Sequence, residues 1–278
     1  MSQDIRLLEP IVLWNHFADL NAVPRPSKKE ERVIAFMMDF GRSLGLETLR
    51  DSSGNVVIKK PATRGMENRQ TVILQSHLDM VHQKNSSTVF DFDTQGIEMY
   101  VEGDWVKAKG TTLGADNGLG VAAIMALLSA SENDIKHPAL EALFTIDEET
   151  GMTGAINLDG SLLSGTILLN LDTEDDDELC IGCAGGIDTN AFLSYEPEQD
   201  QADLQSFVIK ISGLKGGHSG MDINKGRANA NKLMNRLLYK CDEQFGLRLV
   251  SIDGGSLRNA IPRESIAVVA IAKDKIES

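Results

Sequence analysis

The sequence predicts an α/β fold, a mostly parallel sheet with flanking helices followed by a smaller α/β lid domain. Three observations carry this expectation. Short apolar runs without polar alternation occur at 71–75 (TVILQ), 142–146 (ALFTI) and 166–171 (TILLNL), and such runs suit strands covered on both faces. Helical patterns lie between them, at 117–130 and 152–158. Past residue 186 the order becomes strand, helix, strand, strand, as in a small separate α/β domain. The expected division is therefore 1–186 for the first domain and 187–278 for the second.

Taken in chain order, LEPIVLWNHFADL places apolar residues at helical spacing. In PSKKEERVIAFMMDFGRSLGLE, Ser27 and Glu30 have the spacing of a capping box ahead of an amphipathic helix. LRDSSGNVVIKK reads as two strands around a Ser-Gly-Asn turn, and MYVEGDWVKAKG as a hairpin. In the second domain QSFVIKISGLKGGHSG is a strand entering a Gly-rich turn, and GRANANKLMNRLLYKC is a helix. GLRLVSIDGGSLRNAIPRESIAVVAI supplies two strands around a loop.

With 278 residues, 42% hydrophobic and 24% charged, the chain has the composition of a globular protein with one or two cores. Its 41 acidic and 27 basic residues give a formal charge of -14, which argues against a nucleic-acid partner. The first ten residues lack an apolar signal region, and no apolar run is long enough to span a bilayer, so no membrane partner and a cytoplasmic location are expected. Three cysteines are too few for a disulfide framework. Cys180 and Cys183 form a C-x-x-C pair, but without a following helix start that would favour a redox thiolate.

The apolar strands share one further property, which is that each stops on acids or a histidine. The first meets His77 and Asp79, the second Asp147, Glu148 and Glu149, the third Asp172. Parallel strands bring such ends to one edge of the sheet, where ligands bind. Asp116 sits in a Gly-rich loop just ahead of a helix and joins the same rim. An imidazole with several carboxylates and no thiolate suits Zn²⁺, with Mn²⁺ or Co²⁺ as alternatives. That many carboxylates would overbalance one ion, so two ions sharing a bridging carboxylate are expected, a hydrolytic arrangement. Asp79, two residues beyond His77 on an extended chain, faces the same way and is placed to orient the imidazole. Of Glu148 and Glu149, one can bind metal while the other serves as general base.

SHLDMV, GTTLGADNGLGVA, FTIDEETGMTGA and LNLDTE resemble the co-catalytic zinc peptidase superfamily of carnosinases, aminoacylases and desuccinylases. PIVLWNHFADLNAVPRPSKKEE and GLKGGHSGMDINKGRANA are most similar to its aminoacyl-histidine dipeptidase branch. The resemblance implies hydrolysis of dipeptides, Xaa-His among them, by a homodimer with two zinc ions. It implies that His77 and Asp172 bind one ion and Glu149 the other, with Asp116 bridging. Asp79 and Glu148 would be the catalytic pair, Glu148 as the base, and a non-proline cis peptide would follow Asp116. His218 would hold the oxyanion and Asn259 would help to bind substrate. Relatives return from the lid to the metal domain with a final His ligand that this sequence does not show, so the chain is expected to be an N-terminal portion with an incomplete lid. His16 and His137 are expected to be ordinary helix or loop residues, and His82 lies near the rim. A non-catalytic assembly protein and an amidohydrolase acting on acyl-amino acids are the alternative readings.

Overall fold

Alternation along the strands decides which side of the first sheet each apolar residue takes. The computed structural model describes every residue except 1–3, 174–176, 183, 184, 186, 188, 199–202, 256, 277 and 278. Two compact units result, Met1–Leu179 and Cys180–Ser278. Gly186, near which the sequence placed the boundary, lies outside the described residues.

In the first unit, helices α1 (Ile11–Asn21), α2 (Glu31–Ser43), α3 (Ala115–Ser129) and α4 (Thr153–Ile156) accompany five sheet strands. These are β1 (Glu47–Arg50), β2 (Val56–Lys60), β3 (Val72–His77), β6 (Leu140–Thr145) and β7 (Ile167–Asn170). Strands β4 (Met99–Glu102) and β5 (Trp105–Ala108) form the expected hairpin. The sheet order is β1-β2-β6-β3-β7. Strands β6, β3 and β7 are mutually parallel, and the antiparallel pairs β1/β2 and β2/β6 leave β2 as the strand that runs against the rest.

Val56, Ile58, Leu74, Ala142 and Phe144 face α2 and α3 and pack with Val33, Ile34, Met37, Val121, Ile124, Met125 and Leu128. Their neighbours Val57, Ile73 and Leu143 point to the other face, onto Leu49, Leu158, Leu162 and Leu163. The second face is thinner than uninterrupted apolar strands suggest. Edge strand β7 leaves Leu168 and Leu169 exposed, because among the described residues of this unit it pairs with β3 alone.

One local expectation fails. Helix α2 starts at Glu31, and no side chain caps it. Ser27 gives its hydroxyl to Asp79 at 2.8 Å, and Glu30 accepts from the Lys28 amide at 2.8 Å. A buried carboxylate offers Ser27 a stronger, charge-assisted bond than a helix N–H does.

The second unit folds as β8 (Leu204–Ile211), α5 (Ala230–Phe245), β9 (Arg248–Gly254) and β10 (Ser265–Ala272). Its antiparallel sheet has the order β8-β10-β9, and α5 packs on one face through Met234 and Leu238 against Leu247, Ala267 and Val269. Asn229 caps α5 by accepting from the Lys232 amide at 3.1 Å. Cys241 is half-buried against this core, and Cys180 is exposed. Cys183 lies outside the described residues.

Candidate metal centre

Three parallel strands deliver their C-terminal ends to one edge of the first unit's sheet. Strand β3 ends on His77, β6 runs into Asp147, Glu148 and Glu149, and β7 leads to Asp172. The fourth contribution comes from the loop before α3. There Gly114 takes φ 72°, which costs glycine nothing, and the regular helix begins only after Asp116 and Asn117. The Asp116-Asn117 peptide is cis.

His77 is buried at the middle of this edge. Its Nε2 lies 3.1 Å from Asp116 Oδ1, 3.7 Å from Asp172 Oδ2 and 3.9 Å from Glu148 Oε2. On the other side of the ring, Nδ1 lies 3.1 Å from the Asp79 carbonyl and 3.3 Å from Asp79 Oδ1. With both oxygens as acceptors, Nδ1 carries a proton, and Nε2 faces the carboxylates. Of three donor sets that converge to within 4.8 Å among the described residues, two include His77, one with Asp116 and Asp172 and one with Glu148 and Glu149; the third is Glu30, Asp79 and Asp147. Among the described histidines, His77 alone joins such a set.

Asp79 is fully buried and accepts at both carboxylate oxygens. The Glu148 and Glu149 amides donate to Oδ1 and Oδ2 at 3.0 and 3.3 Å, and Ser27 completes the set. Asp79 therefore ties the loop after β6 to the end of β3. Asn117 does the same for Asp172, donating from Nδ2 to Oδ1 and to the Leu171 carbonyl, both at 2.9 Å. Asp147 turns away from the cluster at φ 53° and accepts from Lys28, Thr150 and Thr153.

The electrostatics are those of a site short of positive charge. Burial pushes Glu149 up to about 8, with the nearby Asp116 adding to it. Burial also raises Glu148, against the pull of His77, and raises Asp172, where Asp116 reinforces it. Burial opposes a charged His77, yet Asp116 and Asp79 hold its pKa up to about 11. Carboxylates driven to take up protons around an imidazole driven to keep one are what a divalent cation would relieve. The donor set, imidazole and carboxylate without thiolate, fits such an ion.

The other histidines go elsewhere. His82 stacks edge-on against Phe92, with ring centroids 5.8 Å apart, and joins no donor set among the described residues. His16 meets Ser129 Oγ at 3.1 Å, and His137 Nδ1 donates to the Pro138 carbonyl at 2.7 Å.

His218 and Asn259 belong to the second unit, where the structure brings them together. His218 bridges to Ala260, and the Ser219 amide donates to the Asn259 carbonyl at 2.9 Å. His218 Nδ1 accepts from the Gly220 and Met221 amides at 3.1 and 3.2 Å, so its proton resides on Nε2.

Sequence reasoning missed Arg25, the largest fully buried side chain. Burial lowers its pKa to about 10, opposed by Asp79, Asp116 and Glu149, and it remains a cation at neutral pH. Its signal was the stretch PRPSKKEE, which carried a family likeness but no chemistry of its own.

Comparison with known proteins bears on this geometry. The family profile described as Peptidase family M28 matches residues 55–175, and that of a Peptidase dimerisation domain matches residues 209–278. The chain is 48% identical over 274 residues to the cytosol non-specific dipeptidase of Escherichia coli (strain K12), covering 99% of this chain and 56% of that protein. The resemblance to an aminoacylhistidine dipeptidase extends over 98% of this chain. The crystal structure of aminoacylhistidine dipeptidase from Vibrio alginolyticus superimposes with a TM-score of 0.64 at 46% identity, over 98% of this chain and 55% of that one. Aminopeptidase PepT from Bacillus cereus shares the fold at 21% identity and a TM-score of 0.51, covering 96% of this chain and 68% of that one. The chain thus spans about half the length of the dipeptidases it matches. No helix among the described residues is long and apolar enough to cross a membrane.

Proposed function

We propose that this chain carries the metal-binding edge of a dipeptidase that hydrolyses unblocked dipeptides, Xaa-His and others. The observation that carries the reading is the convergence of Asp116, Asp172 and Glu148 on His77 Nε2, within 3.1–3.9 Å. His77 and Asp172 would hold one ion and Glu149 a second, with Asp116 shared between them. Zinc fits best, with manganese or cobalt as substitutes. When bound, the ions polarise the scissile carbonyl and lower the pKa of the attacking water. Asp79 keeps the His77 ring turned and its Nδ1 protonated. Glu148 takes the proton from the attacking water and passes it to the leaving amine. Burial raises Glu148 above an ordinary carboxylate, which suits a group that must both accept and return a proton.

By the dipeptidase resemblance, His218 in the second unit would supply its Nε2–H to the developing oxyanion, in its own chain or in a partner subunit, and Asn259 would help to bind substrate. The match to a Peptidase dimerisation domain at 209–278 supports a homodimer. The cytosolic dipeptidase relative supports a cytoplasmic location. We place the division at 1–186 and 187–278, a few residues past the chain boundary of the compact units between Leu179 and Cys180.

The test is metal content per chain together with dipeptide hydrolysis, for the wild type and Glu148→Gln. Bound metal with turnover in the wild type is expected. Glu148→Gln should keep the metal and lose at least about 100-fold in kcat, the usual contribution of a general base. Metal binding without dipeptide turnover in the wild type would point instead to a binding protein or to a site completed by residues outside this sequence. Near-normal kcat in Glu148→Gln would remove that residue's role.

A further inference from the structure

The cluster of acids is held by a short segment that supplies none of its candidate ligands. Arg25 is 1% exposed, and its guanidinium spans two loops far apart in sequence. Nη1 donates to the carbonyls of Leu78 and Asp79 at 3.1 and 3.2 Å. Nη2 donates to the Gly114 carbonyl at 2.5 Å and to Asn21 Oδ1 at 2.8 Å. One side chain thus fixes the backbone that follows His77 and the turn that precedes Asp116.

The same segment reaches the third loop. Ser27 binds the Asp79 carboxylate, and Lys28, itself at φ 72°, pairs with Asp147 at the head of the Glu148-Glu149 turn. Pro26 bridges to Met80. The space around Arg25 is kept open by two glycines. A Cβ at Gly114 would lie 2.5 Å from Nη2, and one at Gly118 would lie 2.6 Å from it. No larger residue fits at either place while the guanidinium stays.

We propose that Arg25, seconded by Ser27 and Lys28, is a positioning residue for the metal centre, a fixed internal cation whose fork sets the distance between His77 and Asp116. This rests on the metal reading above. The planar guanidinium reaches carbonyls in two directions at once, whereas a lysine ammonium is a compact point charge on a flexible stem. Charge alone is therefore insufficient, and Arg25→Lys separates charge from geometry. Removing a group that orients metal ligands typically weakens metal binding about 10–100-fold.

The experiment uses the full chain in wild-type, Arg25→Lys and Lys28→Met forms; in the last, Thr150 and Thr153 still donate to the buried Asp147 carboxylate. Co²⁺ is titrated into each metal-free protein, and both affinity and the visible cobalt spectrum are read. Arg25→Lys should lose about 10–100-fold in affinity and shift its cobalt bands, which report ligand geometry and not global stability. Lys28→Met should weaken affinity less, with its bands displaced in the same direction. Wild-type affinity and spectrum in Arg25→Lys would overturn the proposal while leaving the metal site standing. If Arg25→Lys does not fold, an unaltered cobalt spectrum in Lys28→Met overturns it. A wild-type chain that binds no cobalt overturns the metal reading itself, and this proposal with it.

Discussion

Asp79→Asn tests the hydrogen-bond accounting at the edge of the sheet. All the partners of this buried carboxylate are donors. Oδ1 faces the Glu148 amide at 3.0 Å and His77 Nδ1 at 3.3 Å, while Oδ2 faces the Ser27 hydroxyl at 2.8 Å and the Glu149 amide at 3.3 Å. An asparagine must turn its NH₂ toward one pair. The Ser27 hydroxyl can rotate to accept, so the cheaper rotamer points the NH₂ at Ser27 and takes the Oδ2 acceptor away from the Glu149 amide. A buried donor without an acceptor costs about 1–3 kcal/mol. The surviving bonds lose their charge assistance and fall to roughly half their strength. With bonds to a charged group at about 1.5–3 kcal/mol each, two halved bonds add about 1.5–3 kcal/mol, and the sum of roughly 2.5–6 kcal/mol is a large part of the 5–15 kcal/mol typical of a folded domain. Both tryptophans, Trp14 and Trp105, lie in the first unit, so their fluorescence in urea follows the unfolding of that unit. Metal-free Asp79→Asn should unfold at lower urea with an unchanged slope. A loss below about 1 kcal/mol would refute the reasoning, since it would show that the donors find other acceptors at little cost.

Two further outcomes follow from other parts of the molecule. Gly120→Ala would place a Cβ 2.5 Å from Asn117 Oδ1, 2.6 Å from Ser76 Oγ and 2.7 Å from the Leu171 carbonyl. It should cost about 1–3 kcal/mol in urea unfolding and weaken metal binding, because Asn117 is the hydrogen-bond donor that holds Asp172. In the second unit, Lys225, the His218 amide and Arg227 hold the Asp222 carboxyl below the usual aspartate range. A depressed folded value means that this support is complete above the unfolded aspartate pKa of about 3.9, and is lost as pH falls through the lower folded value. The Asp222 carboxyl carbon resonance should therefore titrate with a midpoint below that of a free aspartate, and Lys225→Met, which removes the largest support, should move that midpoint up.

Much of the fold was legible because its signals are local. The apolar runs at 71–75, 142–146 and 166–171 became β3, β6 and β7, and the Ser-Gly-Asn turn became the β1/β2 connection. The fate of Ser27 was not legible. Its spacing to Glu30 matches a capping box, but its hydroxyl bonds to Asp79, 52 residues away. Arg25 was hidden for the same reason. A lone arginine between two prolines reads as a surface residue, since a charged side chain is seldom fully buried without partners. Those partners are carbonyls 53, 54 and 89 residues along the chain. Asp147, Glu148 and Glu149 are consecutive, yet one turns to Lys28 and the other two to His77, because Asp147 takes a left-handed conformation at the start of the turn.

The sequence by itself determined the parallel strands, the edge on which they end, and the kinds of side chain that gather there. Strand formation and side-chain alternation depend on neighbours a few residues apart, so a one-dimensional pattern suffices to encode them. The tertiary structure alone decided that Asp79 would tie three segments together, that Ser27 would leave its helix to serve it, and that Arg25 would lie beneath the acids as their fixed counter-charge. A hydrogen bond exists only where donor and acceptor come within about 3 Å. Sheet pairing and helix packing, not proximity in sequence, bring these groups that close.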